Sequence, residues 1–562
     1  MRRQRNVLWI MCDQLRFDYL SCAGHPTLQT PHIDWIAREG VRFSAAFAQS
    51  TICGASRMSA YTGRYLRSHG ATGNEIPLRI GELTLGDHLR ELGGEAILVG
   101  KTHMRADEAG LARLGVDPDG PTGVRLGEAG FYPYERHDGL HPDGPYDPAP
   151  SYGDYLSAQG LDADNPWEAY ANSAEREDGS IVSGWFMENA GLAARVPEEM
   201  SETAWTTRRA MDFIDSRSDG DKPWCLHLSY IKPHWPYLAP APYHALYGAD
   251  DVVPAVRAAA EREDPHPLYA AFLQERYSQV FCRDEVRARV IPAYMGLIKQ
   301  IDDHLGRLFD FLRRRDLLDD TLIIFTADHG DYLGDHWLGE KYLFHDASVR
   351  LPMLVRDPRP QADATRGQTL EDLVEMIDLA PTVLDFMAGP KAAEDRRHIL
   401  QGRSLVPVMA GERPGDWRQV AFSEYDFTYD AARQRLGTPV EDSCATMVFD
   451  GRWKYIHVPE HPPLLYDLWN DPSELVDRGR LGGHQAVIAG LKEQMFEWCR
   501  KQSQRITISR NEIIAGDAAT MAYDPVIDHN IYIGYWDQQD LAEEKASRDH
   551  HRTVSDQAAK RQ

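Results

Sequence analysis

Two apolar runs in this chain end in groups that bind cations. "NVLWIMCDQ" (6–14) stops at Asp13 and Gln14, and "TLIIFTADHGD" (321–331) reaches Asp328 and His329. Runs of this length suit strands buried on both faces, as in a parallel sheet. In open α/β sheets, ligands bind beyond the carboxyl ends of the strands. If both runs join one sheet, two carboxylates, an amide oxygen and an imidazole converge there. Two anions without counter-charge repel, so a divalent cation is the expected occupant. An all-oxygen shell would suit calcium or magnesium. The imidazole shifts preference to manganese, zinc or iron, with calcium as the alternative. Taken singly, each carboxylate also reads as a strand-end turn cap.

A third group lies in "TICGASRMSAYTGRY" (51–65). Cys53 has no second cysteine near it and no histidine within a turn. Such a thiol is either a small core residue or the raw material for another group. Arg57 follows four residues later, on the same face if a helix begins there.

The elements that must position these groups alternate between helix and strand. "TPHIDWIAREGVRF" opens a helix with Thr30 as cap and Pro31 in the first turn. "TLGDHLRELGGEAILVGKTH" reads as helix, turn, then a strand through Ala96 to Val99. Before the second buried strand, Met295, Ile298, Ile301, Leu305, Leu308 and Leu312 recur at helical spacing. The expected architecture is α/β: a large mixed, mostly parallel sheet flanked by helices over residues 1–410. Residues 104–200 are rich in Pro, Gly, Asp and aromatics and read as an insertion or lid. From about Trp417 short strand-like segments and a helix predict a smaller α+β domain with a short antiparallel sheet, 411–505. The extension 506–562 contains "HNIYIGYW" and is expected to contact a neighbouring subunit, which makes a homo-oligomer, dimer or tetramer, the expectation.

Bulk properties exclude several classes. At 562 residues the chain exceeds one ordinary domain, and 43% hydrophobic content suits a packed core. A net charge of -25 opposes binding to nucleic acid or anionic membranes. Seven cysteines, none in a CxxC pair, read as a reducing compartment, so the cytoplasm is expected. The N-terminal apolar run is too short for a signal sequence, and no stretch approaches a membrane span.

The segment "CGASRMSAYTGR" resembles the Cys-x-Pro-Ser-Arg…Thr-Gly motif of the sulfatases, in the alkaline phosphatase superfamily. The motif's usual proline is Ala55 here. "GKTH", "KPHWPY", "EKYLFHDASVRLPMLVR" and "LLYDLWNDPSE" follow in the family's order, and the likeness spans roughly residues 5–500. The Asp-Gln…Asp-His set most resembles the branch of phosphonate monoester hydrolases and choline sulfatases. The resemblance implies an alkaline phosphatase-like fold and a formylglycine made from Cys53 by a maturation enzyme. Hydrated, that aldehyde is a gem-diol: one oxygen attacks sulfur or phosphorus and the other expels the bound sulfate. The thiol is then a precursor, which explains why no base adjoins it. By the same resemblance the metal set is Asp13, Gln14, Cys53, Asp328 and His329. Arg57 supports the hydrated aldehyde. Lys101 grips sulfate oxygens and His103 bonds the nucleophile, while His234 and Lys341 face the leaving oxygen. Asn74 is a candidate for substrate contact or a turn.

The charged pair Lys101 and His103 is a sulfatase feature, whereas the metal set is shared with the phosphonate branch. Sulfate monoester hydrolysis is therefore expected, with phosphonate monoesters and phosphodiesters as side substrates. The alternative is phosphonate monoesters as main substrates. A metal-stabilised binding protein, with tight binding and no turnover, is the reading from another class.

Overall fold

The computed structural model describes residues 5–139, 151–218, 220–502, 506–509, 511–512 and 537–546. Among these residues fourteen strands follow the chain. They are β1 (Asn6–Asp13), β2 (Val41–Phe47), β3 (Glu95–Gly100), β4 (Tyr132–Arg136), β5 (Ser173–Glu175), β6 (Ile181–Ser183) and β7 (Trp224–Pro233). Then come β8 (Thr321–Ala327), β9 (Met353–Arg356), β10 (Gln368–Glu375), β11 (Ala421–Asp426), β12 (Cys444–Phe449), β13 (Trp453–His457) and β14 (Leu464–Asp467).

Eight strands form one sheet in the order β10-β2-β9-β8-β1-β7-β3-β4. All its pairings are parallel except those of β9, which runs antiparallel to β2 and β8. The expected mixed, mostly parallel sheet is therefore present. β1 lies at its centre, buried at every position, as its unbroken apolar run requires. The 31-residue helix Asp284–Arg314 buries its periodic apolar face, Met295 to Leu312 included. Helix α1 (Pro31–Glu39) starts after Thr30, whose hydroxyl donates to Asp34 Oδ1 instead of capping the backbone.

β11 to β14 make the expected short antiparallel sheet, followed by helix Gln485–Lys501. Met1–Ala393 and Leu400–Gln502 belong to one compact unit, and Glu394–Ile399 with Ser503–Gln562 to a second. Most of the extension 506–562, expected to be an oligomer contact, lies outside the described residues, "HNIYIGYW" included. Among the described residues no helix is long and apolar enough to cross a membrane.

Register sets where the site forms. Cys12 pairs with Ala327, Asp13 with Pro233, and Gly100 with Ser229. The carboxyl ends of β1, β8, β7 and β3 thus share one edge, and the next residues along each strand meet there. Gly100 has φ +108, and a Cβ on it would lie 2.0 Å from Ser229 O. Only glycine permits that approach, so the backbone can turn Lys101 toward β1.

Candidate active site

Helix α2 (Cys53–Thr62) is buried at all ten positions and begins at the cysteine itself. Its entry is held from outside the helix. Gly54 N donates to Asn74 Oδ1 at 2.8 Å, and Ser56 Oγ to Asp328 O at 2.6 Å. Asn74 therefore fastens the first turn of α2.

The groups at the ends of β1 and β8 do converge. Asp13 Oδ1 lies 3.8 Å from His329 Nε2, and Asp328 Oδ1 lies 3.7 Å from it. Cys53 Sγ sits 3.0 Å from His329 Nε2 and 3.8 Å from Asp13 Oδ1. His329 Nδ1 donates to Gly330 O at 2.8 Å, which turns Nε2 toward the others. Gln14 has φ 62, and two carboxylates orient its side chain. Its Nε2 donates to Asp331 Oδ2 at 2.6 Å and to Glu340 Oε2 at 3.2 Å. Its Oε1 accepts from Lys341 Nζ at 3.0 Å.

The charge balance at this centre differs from the sequence expectation. Arg57, fully buried, bridges both carboxylates, with Nε 2.8 Å from Asp328 Oδ2 and an NH2 group 3.3 Å from Asp13 Oδ2. Lys101 Nζ lies 2.6 Å from Asp13 Oδ2. The two anions are not without counter-charge, so repulsion alone does not call for a metal. The donor set makes that case instead. Each carboxylate gives Oδ2 to a cationic side chain; Asp13 Oδ1 faces His329 and Cys53, and Asp328 Oδ1 faces His329 while accepting from Gln14 N and His329 N at 3.0 Å. Ligand atoms of Asp13, Cys53, Asp328 and His329 all lie within 4.8 Å of one another. Oxygen and nitrogen ligands at about 2.1 Å from a common ion span the 3.7–3.8 Å separations. These residues fit a divalent cation.

The remaining candidates close the pocket. Lys341 Nζ is 3.1 Å from Cys53 Sγ and 3.5 Å from His234 Nε2. His234 Nδ1 donates to Trp235 O at 2.8 Å, so Nε2 accepts from Lys341. His103 has φ 52, and its buried Nδ1 has no hydrogen-bond partner. Arg57 also donates to Lys101 O at 2.9 Å and Ser229 Oγ at 2.7 Å, tying α2 to β3 and β7.

Electrostatics follow from burial and neighbours. Burial pushes the Cys53 thiol up, but Lys341, His329 and Lys101 outweigh it and hold it well below the ordinary range. Burial works against Asp13, and Cys53 adds to it; Lys101, His234 and Arg57 still keep its carboxyl below the usual value. Burial lowers His234 to about 4, so it is neutral at pH 7. Burial opposes the Lys341 charge, yet Cys53, Asp13 and Glu340 hold its ammonium above the ordinary range.

Several supporting groups escape sequence reasoning. Asp138 Oδ1 accepts from Thr102 N at 3.1 Å and His103 N at 3.3 Å, fixing the turn after β3. Asp331, Glu340 and Tyr237 surround the Gln14 amide, with Tyr237 Oη donating to Asp331 Oδ2 at 2.8 Å. Asp331 is visible in "ADHGD"; Asp138, Glu340 and Ser229 have no local signature.

Comparison with known proteins agrees with this geometry. The Sulfatase family model matches residues 5–389, and that of the C-terminal region of N-sulphoglucosamine sulphohydrolase matches 334–501. The chain is 33% identical to the multifunctional alkaline phosphatase superfamily protein PehA of Trinickia caryophylli, over 89% of this chain and 96% of that one. It is 28% identical to an arylsulfatase of Clostridium perfringens, covering 76% and 82%. The crystal structure of the phosphonate monoester hydrolase of Agrobacterium radiobacter superposes with a TM-score of 0.75 at 28% identity, covering 89% and 97%. With a family match over most of its length and the sheet and strand-end cluster described above, the chain belongs to the sulfatase family and has its alkaline phosphatase-like fold.

Proposed function

We propose that this protein hydrolyses sulfate monoesters through a formylglycine made from Cys53, with phosphonate monoesters and phosphodiesters as further substrates of the same pocket. The observation that carries the reading is the seat of Cys53. Its Sγ lies 3.0 Å from His329 Nε2 and 3.1 Å from Lys341 Nζ, at the first residue of a buried helix. A thiol kept only for packing needs neither neighbour.

Each pocket residue has a physical task. Lys101 and Lys341 supply positive charge for nonbridging and leaving oxygens, where sulfuryl transfer builds negative charge. Lys341 stays protonated and reaches His234 Nε2, so it is the donor to the leaving oxygen, and neutral His234 orients it. The His103 side chain reaches the Cys53 side chain, which places it to bond the nucleophile. Arg57 holds the Oδ2 atoms of both aspartates and compensates their buried charge. Asp13, Gln14, Asp328 and His329 would hold one divalent cation, manganese, zinc or iron by donor type, which would polarise ester oxygens and lower the pKa of the nucleophilic hydroxyl. Formylglycine, hydrated, would supply that hydroxyl.

Cys53 is 1% exposed at the start of a fully buried helix. A maturation enzyme must therefore reach it before α2 folds. The seven cysteines are all free, which suits a reducing compartment and the proposed cytoplasmic location.

A second reading has its own support. The likeness to the phosphonate monoester hydrolase favours phosphonate monoesters as main substrates. The ratio of kcat/KM for phenyl sulfate over phenyl phenylphosphonate, on protein co-expressed with a maturation enzyme, separates the two. A ratio well above one supports the sulfatase reading. A ratio well below one transfers the main activity to phosphonates.

A further inference from the structure

Lys341 reaches the centre from a strained stretch of backbone. Its Nζ meets Gln14 Oε1 at 3.0 Å, Cys53 Sγ at 3.1 Å and His234 Nε2 at 3.5 Å. A lysine stem is long and flexible, so three contacts at its tip require a backbone that stays in place. The residues on both sides of it lie in the left-handed region, Glu340 at φ 59 and Tyr342 at φ 92. Neither is glycine. For a side chain as large as tyrosine such a φ is an outlier, and it persists only where the surroundings over-determine it.

The surroundings of Glu340 are polar. Its carbonyl accepts from Tyr332 N at 2.7 Å, and its carboxyl accepts from Gln14 Nε2 at 3.2 Å. Those of Tyr342 are aromatic. Between centroids its ring lies 5.5 Å from Phe272 and 5.3 Å from Tyr277, with planes at 27° and 25°, and 5.9 Å from Tyr425 at 49°. Phe272 comes from helix Pro267–Leu273, Tyr277 from helix Arg276–Phe281 and Tyr425 from β11 of the small antiparallel sheet. Tyr342 O accepts from Thr51 Oγ1 at 2.6 Å, two residues before Cys53. One residue is tied to three separate elements and to the entry of α2.

We infer that Tyr342 is a positioning residue for Lys341: gripped by Phe272, Tyr277 and Tyr425, its ring holds residues 340–342 in the left-handed turn that carries the ammonium to Cys53. The catalytic consequence rests on the ester-hydrolase reading; the grip itself does not. Aromatic rings at these separations attract one another beyond their area burial. Without that grip an L side chain at position 342 returns to negative φ, and the backbone that bears Lys341 turns with it. Glycine would tolerate the turn with no ring present. Alanine would not, because its Cβ opposes the φ and nothing offsets it. A ring kept only for packing gives the opposite order, since glycine leaves the larger void and the looser chain.

The test measures acetylation of Lys341 by acetic anhydride, read by peptide mass relative to Lys501, on the full-length protein and its Tyr342→Phe, Tyr342→Gly and Tyr342→Ala variants. Lys341 is 6% exposed and the Lys501 side chain 76%, so in the wild type Lys341 reacts slowly. The expected result is labelling raised about tenfold by Tyr342→Ala, less by Tyr342→Gly and not by Tyr342→Phe. The kcat for 4-nitrophenyl sulfate should fall in the same order, about tenfold in Tyr342→Ala, with KM little changed. If Tyr342→Ala does not fold, Tyr277→Leu removes one half-buried ring of the grip and should raise labelling about threefold. Labelling unchanged in Tyr342→Ala and Tyr277→Leu, or Tyr342→Gly more perturbed than Tyr342→Ala, would overturn the proposal. The expected labelling order in a protein whose wild type turns over no ester would leave the grip standing and remove the hydrolase. Turnover lost with labelling unchanged removes the grip alone.

Discussion

Replacing Arg57 by Met tests how the centre is held together. The guanidinium is fully buried and bonds Asp328, Asp13, Lys101 O and Ser229 Oγ. Without it Asp13 keeps Lys101, but Asp328 loses its cation in a site closed to water. Removing one partner of a buried ion pair costs about 3–5 kcal/mol, because the other charge stays buried and uncompensated. In urea, with a slope of roughly 3 kcal/mol per molar or more for a chain of this size, the midpoint should fall by about 1 M. Unfolding is followed by tryptophan fluorescence in chelator and again in saturating manganese. The freed carboxylate oxygens attract a cation more strongly than before. The gap between wild type and variant should therefore narrow when metal is present. An unchanged midpoint in chelator would refute the reasoning, since both carboxylates would then be indifferent to their shared arginine. A gap that widens with metal would mean that Arg57 serves mainly to aim the Oδ1 atoms.

Other perturbations follow from the same geometry. Lys341→Met should lower kcat/KM for aryl sulfates by about 100-fold or more, with losses that grow as the leaving phenol becomes more basic; a loss independent of the phenol would remove the proton-donor role. In Gly54→Ala the new Cβ would lie 2.9 Å from Asn74 Oδ1, so turnover should fall about tenfold while stability changes by less than about 2 kcal/mol. The Glu202 carboxyl is opposed by burial but held well below its usual range by Lys232, His137 and Trp167. Its folded pKa is depressed, so its contribution is present above the unfolded value near pH 4.3 and lost as pH falls below it. Glu202→Gln should flatten the acid limb of a stability-versus-pH curve, and an unaltered limb would contradict the assignment.

Much of this arrangement is legible in sequence where the signal is local. The buried strands β1 and β8 announce themselves as unbroken apolar runs, and the residues that end them must fall on one edge of a parallel sheet. The four-residue spacing of Cys53 and Arg57 predicts their place on α2. Their partners are another matter. Arg57 meets Asp328 across 271 positions and Gln14 meets Glu340 across 326, and no local pattern encodes either pairing. That is why sequence alone misjudges the charge balance at the centre: the cation that compensates both aspartates lies on a different element. A lone lysine or histidine carries no signature either, so Lys101, His103, His234 and Lys341 emerge only through family resemblance. The insertion shows the same limit. Trp167, an insertion aromatic that reads from sequence as able to line the pocket or simply pack, is buried with its indole donating to Glu202 at 3.0 Å. Tyr134 packs under Arg209, and Tyr132 is exposed on the edge strand β4. Trp185, which no sequence pattern singles out, is the insertion aromatic that reaches Trp235.

The central claim is that Cys53 is a precursor and not a finished residue. The most direct measurement is the mass of the tryptic peptide 43–57 from protein co-expressed with a formylglycine-generating enzyme. The expected result is the mass of the aldehyde, or its hydrate, in place of the thiol, and a fraction converted that tracks aryl sulfate turnover from one preparation to the next. A peptide carrying only the free thiol, in a preparation that still turns over the ester, would contradict it.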